Sequence, residues 1–134
     1  MIDRNDVVLS ARDAATLSAI LASFSPREAP YPGAADELFD VLEGAHVLED
    51  EAVARDVVVL DAAVTYVELP GGARRTVRLV HPASADASNA RISVFAPVGR
   101  ALLGRRAGAR IRVALPDRSI DELHVVNVTR EGRA

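Results

Sequence analysis

No cysteine or tryptophan occurs among the 134 residues, and aromatic residues make up only 4% of them. The first absence excludes disulfide staples, thiolate metal sites and thiol nucleophiles, so the core alone must hold the chain together. The scarcity of aromatics leaves little on which nucleic-acid bases could stack, and direct nucleic-acid binding is not expected. No uninterrupted apolar run reaches the roughly 18 residues that a membrane helix needs. The polar start Met1-Ile2-Asp3-Arg4-Asn5-Asp6 precedes only three apolar residues and reads as neither a secretory signal nor an anchor. A cytoplasmic protein with no membrane partner is the expectation.

What remains is the composition of a globular chain, 49% hydrophobic and 26% charged, long enough for one ordinary domain or a small domain with an appendage. The net charge of −3 hides an asymmetry. Residues 1–55 hold 11 Asp or Glu against 4 Arg, a balance of −7, while residues 56–134 hold 8 against 12, a balance of +4.

The first half has helical periodicity. Ser10 and Asp13 form a capping box, with Leu9 placed to staple onto Ala14. Leu17, Ile20, Leu21 and Phe24 then share one face. This helix should end near Ser25-Pro26, and the linker to Gly33, with Pro26, Pro30 and Pro32, is a stiff turn. A second helix is predicted from about Ala34 to Leu48, with Leu38, Val41, Leu42, Ala45 and Leu48 on its inner stripe. Two antiparallel helices of about 15 residues make an arm about 20 to 25 Å long.

From Asp56 the period shortens. Val57–Leu60, Val64–Leu69, Arg74–Val80, Arg91–Phe95, Arg110–Leu115 and Leu123–Thr129 read as strands. Pro70-Gly71-Gly72-Ala73 and Pro116-Asp117-Arg118-Ser119 read as hairpin loops, and residues 81 to 89 as a longer loop. Between the strands, Pro97 opens a short helix that Gly104 and Gly108 stop. So short a helix depends on packing Val98, Ala101 and Leu102 against a sheet. An α+β fold follows, with a helical hairpin over residues 1–52 and a mostly antiparallel sheet wrapped around a short helix over residues 53–134.

This order of elements, with VFAPVGRALLGRRAGARIRVALPDRSIDELHVVNV from Val94 to Val128, resembles the C-terminal domain of the GreA/GreB transcript-cleavage and elongation factors. Leu79-Val80-His81-Pro82-Ala83, Ser88-Asn89, Ser93-Val94, Ala96-Pro97-Val98-Gly99 and Ala101-Leu102-Leu103-Gly104 resemble more closely the branch of that family called regulators of nucleoside diphosphate kinase, which joins the domain to a short helical hairpin. The resemblance implies an FKBP-like sheet domain. It also implies a protein that binds RNA polymerase at the rim of its secondary channel, docking through the C-terminal domain and pointing the arm inward. On that reading His81, Pro82, Ser84, Asp86, Ser88, Asn89, Ala96 and Pro97 are expected to carry docking, and Arg27, Glu28 and Tyr31 to form the arm tip. Loops on a rigid scaffold commonly carry binding residues, and Asp86 offers a charge to an arginine-rich partner.

The chain departs from the Gre pattern where cleavage is served. Gre factors have a longer hairpin whose tip presents paired acids that hold a metal ion, whereas the turn Ser25 to Gly33 carries one acid, Glu28, beside Arg27. Asp36 and Glu37 follow at a helix start, where acids are favoured anyway. A monomeric, non-enzymatic transcription regulator that competes with Gre factors without stimulating cleavage is therefore expected. The alternatives are a direct regulator of nucleoside diphosphate kinase or a Gre-like elongation factor. No other chemistry is legible, and no metal or cofactor is expected. His46, His81 and His124 lack metal-ligand spacing, Glu49-Asp50-Glu51 reads as a solvated connection or the opening of a turn, and no G-x-S-x-G nucleophile motif occurs. With only Tyr66 and Phe95 in the sheet half, an aromatic-lined prolyl-isomerase pocket is not expected.

Overall fold

A computed structural model describes residues 6–23, 33–115 and 117–130. Strand β1 (Val8–Ser10) leads into helix α1 (Ala11–Ser23). Helix α2 (Ala34–Gly44) follows and runs into strand β2 (His46–Leu48). The rest is β3 (Ala63–Leu69), β4 (Ala73–Val80), β5 (Arg91–Ser93), helix α3 (Pro97–Leu102), β6 (Arg110–Ala114) and β7 (Ile120–Thr129). The α+β architecture expected from the sequence is present.

β1 and β2 form a two-stranded parallel sheet, Val8 opposite His46 and Ser10 opposite Leu48. The second helix is thus shorter than predicted: it stops at Gly44, Ala45 is extended, and His46–Leu48 leave the helix to pair with β1. Glycine is a poor helix residue, and the pairing satisfies backbone groups that another helical turn would otherwise use. At 13 and 11 residues, α1 and α2 are about 20 and 16 Å long.

The main sheet has the order β5-β4-β3-β7-β6. All its neighbours are antiparallel except β4 and β5, which run parallel with Arg78 opposite Arg91. The predicted loop at residues 70–72 joins β3 to β4, and Asp117, Arg118 and Ser119 of the second predicted loop lie between β6 and β7, Pro116 being outside the described residues. The register between β3 and β7 shifts at Thr65/Tyr66, leaving Val126 out of the pairing. Alternation sends Val64, Tyr66, Leu79, Ile111, Leu123 and Val125 to the buried face.

Val57–Leu60, expected as a strand, forms no ladder. The four residues are all buried, and the segment bonds the chain after α3 through Val58 N–H to Arg105 O and Gly104 N–H to Val58 O. Burial on every side, without alternation, is what its continuous apolar run encoded. The short helix behaves as the packing argument requires: Leu102 is fully buried, and Val98 and Ala101 pack against the core. Leu17 and Ile20 of α1 and Leu38 of α2 belong to the same apolar cluster as Phe95, Leu103 and Leu123, so the helical pair shares one core with the sheet.

Candidate docking surface

The parallel pair β4 and β5 organises the residues singled out for docking. Both strands end on the same side of the sheet, with Val80 opposite Ser93 and Val94 N–H bonded to Val80 O at 3.1 Å. β4 therefore delivers His81 and Pro82 beside the turn that holds Ala96 and Pro97. The connection then runs back along β5, and Asp86, Ser88 and Asn89 lie near its start, about 10 Å away for three residues of strand. The structure thus brings His81, Pro82, Ala96 and Pro97 together, and sets the acidic end of the loop apart. Arg27, Glu28 and Tyr31 lie outside the described residues.

Each part of the loop is locally built. His81 caps a single 3-10 turn (Pro82–Ser84), its Nδ1 accepting from Ala83 N–H at 3.0 Å. Ser84 N–H bonds His81 O at 2.8 Å, and the Ser84 side of the turn is exposed. Asp86 caps a second turn (Ala87–Asn89): Oδ1 accepts from Ser88 N–H at 3.1 Å and from its hydroxyl at 2.7 Å, and Oδ2 from the Asn89 amide at 2.6 Å. These bonds, the Ser88 hydroxyl first and the Asn89 amide next, hold the Asp86 carboxyl below the usual range. Its charge is largely used to shape the loop.

The turn into α3 is tighter. Phe95 N–H donates to Ser93 Oγ at 2.9 Å and Ala96 N–H to Ser93 O at 3.0 Å, after which Pro97 begins the helix. Gly99 lies so close that a Cβ there would stand 2.1 Å from Ser93 O. Only glycine lets α3 sit on the end of β5.

Sequence reasoning missed the residues that tie the helical pair to the rest of the fold. Ser10 does accept from Asp13 N–H at 3.0 Å, as the capping box predicts. The Asp13 carboxylate, however, accepts from Leu60 N–H at 2.9 Å and is only 2% exposed. Asp50, from the acid run, caps α1 through Arg12 N–H at 3.0 Å and opens a 3-10 turn. Arg100 of α3, its side chain 12% exposed, donates to Phe95 O and pairs with Glu37 of α2 at 2.8 Å. Arg100 is the one charged residue in an apolar helix, which was the available signal; Asp13 had none beyond its cap.

Among the described residues, no group of three or more His, Asp or Glu side chains is placed to hold a metal ion. No helix among them is long and apolar enough to cross a membrane. Tyr66 and Phe95 are both buried in the core rather than lining a groove.

Fold and surface together define a small α+β protein in which loops and a short helix crown one end of a mixed sheet, with a helical pair fixed against it. Residues 53–130 match the family described as "Transcription elongation factor, GreA/GreB, C-term". The chain is 33% identical over 133 residues to the "Regulator of nucleoside diphosphate kinase" of Escherichia coli K12, covering 99% of this chain and 96% of that one. It is 37% identical over 79 residues to "Transcription elongation factor GreA" of Geobacillus kaustophilus, where the match spans 59% of this chain and 50% of the relative. Among solved structures, the "Prokaryotic transcription elongation factor GreA/GreB from Nitrosomonas europaea" superposes with a TM-score of 0.73 at 31% identity, covering 92% of this chain and 98% of the other. The chain belongs to the GreA/GreB family, and its relatives bear the names of a regulator and of elongation factors.

Proposed function

We propose that this chain is a non-enzymatic, cytoplasmic transcription regulator that docks as a monomer on RNA polymerase near the secondary channel and competes there with Gre-type cleavage factors. Residues 53–134 serve as the docking part and residues 1–52 as the arm. The observation that carries the reading is the family match over residues 53–130, the part that also presents His81, Pro82, Ala96 and Pro97 on one end of the sheet. Ser84, Asp86, Ser88 and Asn89 extend the contact along the loop, and Arg27, Glu28 and Tyr31 enter the channel. The arm supports the non-cleaving half of the reading. It is short, and its turn holds one acid, Glu28, where a metal would need several oxygens close to the chemistry. No cofactor or nucleic-acid contact is part of the reading.

A second reading is favoured by the name of the relative matched over 99% of the chain: direct control of nucleoside diphosphate kinase. Immobilised chain, offered core polymerase and that kinase in parallel, separates the two. Retention of polymerase, with release by excess Gre factor, is expected; retention of the kinase alone would overturn the polymerase reading.

A further inference from the structure

The two edges of the main sheet are finished differently. At β5 the connecting loop folds back and seals the edge, with Asp86 N–H to Arg91 O and Arg91 N–H to Asp86 O both at 2.9 Å. At β6 no described segment pairs with the outer side of the strand. Leu115 N–H bonds Ser119 O and Val125 N–H bonds Ala109 O, each at 2.9 Å, so the bonded positions toward β7 fall on odd-numbered residues. By alternation, the N–H and C=O groups of Arg110, Arg112 and Ala114 point away from the sheet.

Beside this strand lies a groove of about 220 Å³ whose apolar lining comes from Ile111, Val113, Val41, Pro97 and Ala101, with charged residues, mostly arginine, completing its walls. We infer that the β6 edge and this groove capture an extended segment of a partner protein in which apolar and acidic residues alternate. Such a segment adds as a sixth strand, its backbone bonding the outward groups of β6. An apolar side chain of the segment enters the groove beside Ile111 and Val113, and its neighbours in sequence emerge beside Arg110 and Arg112. Among the described residues Arg112 has no carboxylate at ion-pair distance, and Arg110 has Glu122 at 3.6 Å. Arg100, also at the groove, is already committed to Glu37. The unspent charge beside the edge is therefore positive, which selects acid.

Other occupants fit less well. A nucleic-acid strand cannot match the alternating N–H and C=O groups. A second copy joined edge to edge would bring the Arg110 and Arg112 side chains of both copies onto one face, where like charges repel. The inference rests on the edge and the groove, which share Pro97 with the polymerase reading but do not depend on it.

The test uses the full chain and a fluorescein-labelled heptapeptide of alternating glutamate and valine. Saturable binding below millimolar concentration is expected, with slowed amide exchange at Arg112 and Ala114. A lysine and valine counterpart should bind about tenfold more weakly, a difference of about 1.4 kcal/mol. Ala114→Pro deletes an outward N–H while leaving the ladder to β7 intact, and should abolish binding at an unchanged urea midpoint. Should that variant not fold, Arg112→Glu serves instead, and is expected to reverse the preference between the two peptides. Absence of saturable binding, equal binding of both peptides, or full binding by Ala114→Pro would each overturn the inference. So would protection of the same amides by self-association without peptide.

Discussion

The loop from His81 to Asn89 and the junction between helices and sheet are built in opposite ways. Within the loop, the side-chain bonds of His81 and Asp86 reach two or three residues along the chain and are exposed. At the junction, Asp13 reaches Leu60, Arg12 reaches Asp50 and Glu37 reaches Arg100, across 38 or more residues and, for Asp13, inside the core. Local bonds shape a surface without supporting the fold, whereas distant ones decide how the helical pair stands on the sheet. Damage to the two regions should therefore show up in different measurements.

The largest effect is expected from the apolar side of the junction. Leu38→Ala removes a fully buried side chain from the shared core and should lower unfolding free energy by about 3 kcal/mol, read from urea denaturation. Next comes Asp13→Ala, which removes the buried acceptor of the Leu60 N–H while keeping the Asp13 N–H to Ser10 cap; about 1 to 3 kcal/mol is expected by the same measurement. Were this variant as stable as the parent, the contrast between a supporting junction and a dispensable loop would fail. Glu37→Ala breaks a pair whose acid is 62% exposed, so no more than about 1 kcal/mol should be lost.

The smallest effect on global stability is expected in the loop. Asp86→Asn should leave the urea midpoint unmoved and instead speed amide exchange at Ser88 and Asn89. This effect has a defined pH dependence. Because the folded-state carboxyl is held below its unfolded value near 3.9, ionised Asp86 favours the ordered loop above that value, and the contribution disappears as pH falls through the lower folded-state value. The difference between parent and variant should shrink to nothing on acidification. A difference that grew instead would contradict the assigned bonds.

The same contrast explains what could be read from the chain alone. Local signals were sufficient for Ser10 as a cap, for Pro97 as the first residue of a helix and for the glycine hairpin after β3. The loop singled out for docking was legible as a connection between strands, and the family could be recognised from the order of short segments between Leu79 and Val128. What depended on distant partners was not legible. His46–Leu48 carried a plausible helical stripe and became a strand because β1 lay beside it. Asp13 looked like half of a capping box, yet its carboxylate turned to a backbone N–H 47 residues away. The parallel course of β5 likewise depends on the loop running back along the sheet edge, which alternation cannot reveal.

The central claim is that this chain occupies the Gre position on polymerase without supplying Gre chemistry. The most direct measurement is transcript cleavage in a halted, backtracked complex, with a Gre factor held constant and this chain titrated in. Stimulated cleavage should fall to the intrinsic rate of polymerase, and the chain alone should leave that rate unchanged. Cleavage that stays at the Gre-stimulated level at saturating chain, or that accelerates with the chain alone, would contradict the account.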